Sequence, residues 1–310
     1  MPPTAEKPEI PESEPSPRRA WTFVAWIFAI AWPAAALMWI LLPSASRDDV
    51  GRSLIGAILI VVPVLVTVGL QRRSGGRFRD WGLRTPPVTT LLLAPLVSLA
   101  LVVLATTVPV LIGISQFDPS GAGEVERLAS ERRTEALELK LDIDEYGSPL
   151  RGRIVVGLIT GTVLGLILAP VVELPWRGLL LTELSARGYL KAVLASSALA
   201  ALWWLPLQLQ VDLVAGGAPF GIVRLLSYAL ICVPLSWLRT QTDSILPGSM
   251  LLVTAVALSH IPALALRGGD RLQIQLCALA VVGVIAGLAL IFPPRVGMEA
   301  PQTETTAPRN

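Results

Sequence analysis

In the stretch VVELPWRGLL, residues 171–180, Glu173 and Arg177 stand four residues apart inside a long apolar run. On a helix this spacing sets a carboxylate one turn ahead of a guanidinium, the favourable orientation for an i,i+4 pair. A carboxylate so placed can activate a water or ligate a metal, and a guanidinium can hold an anion. The neighbouring arginine stabilises the ionised carboxylate, however, which makes it a weaker general base than an isolated buried glutamate. Two roles therefore compete at this pair. It can simply neutralise two charges within an apolar segment, or it can face a wet cavity, where intramembrane ionisable residues serve function.

Other chemistry-bearing residues are sparse. His260 is the sole histidine and Asn310, in the tail, the sole asparagine, so no site of two histidines and an asparagine can form within one chain. His260 reads as an interfacial or packing residue near the end of an apolar segment. Cys232 and Cys277 also lie in apolar segments and read as small core residues, with neither a disulfide framework nor a Cys-rich metal site implied. Arg224 can snorkel to an interface, and Asp212 and Asp243 fall at helix ends.

The elements that position these residues follow from composition. The chain has 310 residues, 53% hydrophobic and 15% charged, with a mean hydropathy of +0.64. Soluble domains carry about 25% charged residues. Eight apolar segments, near 21–42, 54–71, 88–114, 154–184, 190–210, 218–238, 245–265 and 272–293, are each candidates to cross a core of ~30 Å. Only helices satisfy their own backbone within such segments, so the fold class is an all-α polytopic bundle. Residues 1–20 and 296–310 are polar tails that lack an apolar stripe and are expected to be disordered. The 115–153 connection is acidic and helix-prone, with Glu alternating with Arg and Lys so that i,i+4 pairs can form on a surface-lying helix.

The loop 71–84 holds five arginines, which places it, both termini and the tails on the cytoplasmic side of the membrane. Twenty-two arginines against three lysines is a bias of the kind a GC-rich bacterial genome imposes, hence a bacterial inner membrane. A net charge of +2 with no basic patch interleaved with aromatics gives no sign of nucleic acid. The partner implied is the bilayer, with a second membrane protein or a transmembrane peptide as the further candidate. Within the fourth segment Pro170 and Pro175 predict a kink, and Gly157, Gly161 and Gly165 form a line that allows another helix to approach closely. That helix can come from the same bundle or from a second protein.

The order of VVELPWRG, then LASSALAALWWLP, then TDSILPGSMLL resembles the CPBP family, the type II CAAX prenyl proteases and bacterial Abi-like intramembrane proteases, over about 150–265. The resemblance implies a bundle of eight or so helices. It also implies three motifs, Glu-Glu-x-x-x-Arg, Phe-x-x-x-His and His-x-x-x-Asn, in which the first glutamate activates a water and the histidines and asparagine complete the site. Carried over residue by residue, the leading glutamate is Val172, the second-motif histidine is Trp204, and the third-motif histidine and asparagine are Leu252 and Val256. Only Glu173 and Arg177 remain, and Trp204 is expected to fill the space a histidine leaves. Val172, Trp204 and Leu252 cannot coordinate zinc, which takes His, Cys or carboxylate ligands. No cofactor is therefore expected. The resemblance implies a non-catalytic pseudoprotease that binds membrane partners or peptides. An active CAAX-type protease using Glu173 in an atypical site, with zinc as the cofactor it would need, is the alternative from the enzyme class. A small-solute transporter, suggested by the proline-broken helix, is a third reading.

Overall fold

The computed structural model describes residues 15–41, 49–74, 77–131, 137–141, 150–208 and 218–294. Residues 1–14 of the first expected tail and the whole of the second, 296–310, lie outside the described residues, as do Asp212 and parts of the 115–153 connection, whereas residues 17–20, expected to be disordered, are helical. Helices α1 (Pro17–Leu41), α2 (Asp49–Ser74) and α3 (Val88–Leu111) are followed by the short α4 (Ala122–Glu131). Next come α5 (Leu150–Val172), α6 (Tyr189–Trp203), α7 (Ala218–Thr242), α8 (Leu246–Leu258), the single turn α9 (Ile261–Ala265) and α10 (Arg271–Ile291). Seven of the described helical segments are long and apolar enough to cross a bilayer. The chain is a multi-pass, all-α membrane protein.

Two boundaries differ from the sequence expectation. Helix α1 begins at Pro17 instead of near residue 21, because this end is tied down: Ser16 donates its backbone N–H to Glu183 Oε2 at 2.6 Å, and Arg19 pairs with Glu183 at 3.3 Å. In the fifth expected span, 190–210, residues 205–208 are helical again after a turn at Trp204, but the unbroken helix has only 15 residues and stops at Trp203. At 1.5 Å per residue it rises about 22 Å, short of a full crossing.

The glycine line finds its partner within the bundle. Gly157, Gly161 and Gly165 are buried against α8, and a Cβ on each would meet Leu258 Cδ2 at 2.5 Å, Thr254 Cα at 2.5 Å and Met250 Cα at 2.6 Å respectively. The steps of four along α5 match steps of four back along α8, so the two helices run antiparallel with their backbones in near contact. Ser249 Oγ donates to the Gly165 carbonyl at 2.7 Å at the end of this seam.

The acidic connection is built into one end of the bundle. Its strand β1 (Gln116–Phe117) pairs antiparallel with β2 (Leu266–Arg267), and the Asp118 N–H reaches the Ala265 carbonyl at 2.8 Å. Among the described residues, Glu126 of α4 pairs across to Arg267; the i,i+4 partners expected along the connection fall largely outside the described residues. At the other end, the Arg-rich connection docks on the α7–α8 turn. Ile245 N–H donates to the Gly82 carbonyl at 2.9 Å, and Asp243 accepts from both Arg84 and Arg239.

Candidate functional site

Pro175 opens the helix that carries the charged pair. Lacking an N–H, it cannot continue the α5 ladder. The chain widens instead into a π-helical stretch, Leu174–Leu180, before a last α-helical turn at Leu181–Leu184. The Glu173 carbonyl accepts from both Arg177 N–H at 2.8 Å and Gly178 N–H at 3.1 Å, bridging the two kinds of turn. Such π-bulges recur where a helix must re-aim functional side chains. Gly178 is required here by close approach, since a Cβ on it would lie 2.8 Å from the Trp81 carbonyl.

Glu173 and Arg177 are fully buried, 0% and 2% exposed. Arg177 Nη1 lies 3.3 Å from each carboxylate oxygen, while Glu173 Oε2 and Arg177 Nη2 have no hydrogen-bond partner among the described residues. Tyr228 and Cys232 of α7 face the guanidinium. They are four residues apart, one helical turn, and this shared face was a signal available in the sequence that motif matching passed over. A second buried carboxylate, Glu183, was likewise missed; it serves the Arg19 contact already described.

Aromatic rings wall the pair. Trp176 meets Phe23 edge-on at 5.8 Å and lies 5.9 Å from Trp203, which in turn meets Phe28 at 5.6 Å. Trp203 is wholly buried and donates its indole N–H to the Leu59 carbonyl of α2 at 2.8 Å. Trp204, at the position matched to a histidine, is half-buried and stands edge-on to Tyr228 at 6.2 Å. An aromatic side chain therefore abuts the ring that faces Arg177.

The remaining matched positions divide. Val172 and Leu252 pack into one apolar cluster with Met250, Leu251 and Leu235, and Tyr228 borders that cluster as well as the aromatic one. Val256 does not join them: it is 64% exposed on the outer surface of α8. The side chains at Val172, Trp204 and Leu252 supply no donor that zinc takes, and among the described residues no three His, Cys, Asp or Glu side chains are grouped to hold a metal ion. The residues present do not fit a zinc site. Cys232 and Cys277 are free and buried. His260 lies outside this layer altogether, and Arg267, near it in sequence, is engaged by Glu126.

No curated protein matches the chain. A family model does, over residues 155–254, a stretch that begins on α5 and ends on α8 and so includes the π-helical turn, Trp204 and Leu252. Its members are intramembrane proteases. The similarity over this segment is to the Rce1-like type II CAAX prenyl endopeptidases, the CPBP group whose motif order the sequence resembled.

Proposed function

We propose that this protein is a pseudoprotease of the bacterial inner membrane, one that keeps the Rce1-like scaffold to bind transmembrane peptides or partner proteins without cutting them. The observation that carries this reading is the apolar cluster around Val172 and Leu252. Where a protease of this family would need a water-activating carboxylate and a histidine, two aliphatic side chains pack against Met250 and Leu251. The one carboxylate left in the layer is committed to an ion pair with Arg177, whose Nη1 lies 3.3 Å from both of its oxygens. The arginine distribution supports an orientation with both termini in the cytoplasm.

The test is proteolysis by purified full-length protein on a panel of prenylated and transmembrane peptides, wild type against Glu173→Gln, with bound zinc measured in the same samples. The expected result is no cleavage by either protein and binding of at least one peptide class by the wild type. Cleavage by the wild type that disappears in a folded Glu173→Gln sample would instead establish an atypical protease. For that reading, Glu173 Oε2, ion-paired with Arg177 but without a hydrogen bond among the described residues, is the atom that would have to act.

A further inference from the structure

At the end of the bundle remote from the Arg-rich connection, a cavity of about 240 Å³ opens between the acidic connection and the ends of α5, α8 and α9. Glu124, Glu138, Arg153 and His260 line it, with Leu128 and Leu139 as apolar wall. It plays no part in the charged layer at Glu173. His260 Nε2 is shielded from solvent yet bonded to nothing, and Glu138 and Arg153 make no hydrogen bond or ion pair among the described residues. One cavity thus offers the exposed guanidinium of Arg153, the exposed carboxylate of Glu138 and the shielded Nε2 of His260, whose ring also bonds the Ala257 backbone and lies within reach of the Arg153 charge.

From these groups we infer that the cavity holds the headgroup of a zwitterionic aminophospholipid, with its phosphodiester on Arg153 and its primary ammonium shared by Glu138 and His260 Nε2. Three features select this occupant. The planar fork of an arginine matches a phosphate. A carboxylate and an accepting imidazole nitrogen lining one cavity call for N–H donors, which a primary ammonium has and a quaternary one lacks. The surroundings point to a lipid instead of a free zwitterion. Arg153 is in the first turn of a spanning helix, and the residues next along it, Val155, Val156 and Ile159, are more than half exposed. Val256, one turn below His260, is exposed too. Acyl chains can lie along these residues while the headgroup enters the cavity. The volume suits a headgroup alone, being below the roughly 300–1,000 Å³ of pockets that enclose whole drug-sized ligands.

Native mass spectrometry and thermal denaturation of the full chain in detergent, with short-chain phosphatidylethanolamine, phosphatidylcholine or phosphatidylglycerol added, test this directly. The wild type is expected to retain phosphatidylethanolamine at least tenfold more tightly than either other lipid. Arg153→Gln and Glu138→Gln should each erase that preference, whereas Arg153→Lys should keep most of it. Equal binding of the three lipids, or a preference for either of the others, would overturn the assignment using wild-type protein alone. Unchanged selectivity in both folded glutamine variants would overturn it as well. Free phosphoethanolamine binding as tightly as the lipid would show a site for soluble zwitterions and so refute the lipid.

Discussion

Between Gly157 and Gly165, helix α5 is held to its neighbour by shape: three missing side chains let the α8 backbone come close, and no charge is involved. Two turns beyond, at Glu173 and Arg177, the same run of chain is held by charge in a layer of tryptophans, and two of its polar atoms have no hydrogen-bond partner among the described residues. The seam has one arrangement and no slack. The charged layer is costly to bury and could be replaced, yet its members depend on each other. Ion pairs and small-residue seams therefore fail differently when altered, and that difference separates a layer kept for function from one kept for packing.

The largest effect is expected from breaking the pair. Removing one member leaves the other as an uncompensated buried charge, at about 3–5 kcal/mol. Glu173→Leu or Arg177→Met alone should destabilise the protein by that amount in denaturant titrations of detergent-solubilised protein. The double variant, which removes both charges together, should recover most of the loss, because apolar replacement of a whole buried pair is often neutral or stabilising. A double variant that folds normally but no longer binds peptide would place the function in the pair. One that binds as before would leave the pair a structural element of the kinked helix.

The seam sets the next scale. Gly161→Ala adds a Cβ 2.5 Å from Thr254 Cα, a backbone atom that cannot move aside cheaply. Overpacking of this kind costs about 1–3 kcal/mol. Gly69→Ala on α2 is the control: nothing lies within 4 Å of the added methyl. There the better helix propensity of alanine should stabilise by roughly 0.5–1 kcal/mol. Equal effects at the two positions would mean that the α5–α8 seam is not close-packed.

Much of the architecture was legible because a bilayer leaves few choices. Long apolar runs had to become helices, and seven did. What sequence could not supply was the identity of neighbours. Gly157, Gly161 and Gly165 announced a close approach but not that Leu258, Thr254 and Met250 would fill it, since a glycine line says nothing of its partner. The proline-broken turn was foreseen as a kink, whereas its π-helical form depends on where the Glu173 carbonyl finds donors. Motif spacing put Val172 and Leu252 in one layer but also assigned Val256, which faces outward, because spacing along a helix does not fix which face is buried. Tyr228 and Cys232 belong to no motif, and only the packing of α7 brings them to Arg177. The cavity beside His260 depends on a long-range return of the acidic connection that no local pattern encodes.

The smallest expected effect is at that returning connection, where held charge again substitutes for shape. Asp118 accepts from the Ser120 side chain and from the N–H groups of Ser120 at 3.0 Å and Gly123 at 2.9 Å, with Arg267 nearby. These hydrogen bonds, the Ser120 hydroxyl foremost, favour the carboxylate and hold Asp118 below its ordinary value near 3.8. A depressed carboxyl in the folded state contributes stability that is present above its unfolded value and lost as pH falls through the folded one. The turn before α4 should therefore be closed at neutral pH and begin to open only as pH drops below about 4. Hydrogen exchange at the Ser120 and Gly123 amides reads this locally, with protection falling in acid while the amides of α5 and α8 stay unchanged. Asp118→Asn keeps an acceptor but no charge, so its exchange should be slightly faster at neutral pH and independent of acid in this range. A wild type whose Ser120 and Gly123 amides exchange at the same opening equilibrium from pH 7 to pH 3 would mean that backbone pairing of β1 with β2, not the carboxylate, holds the connection in place.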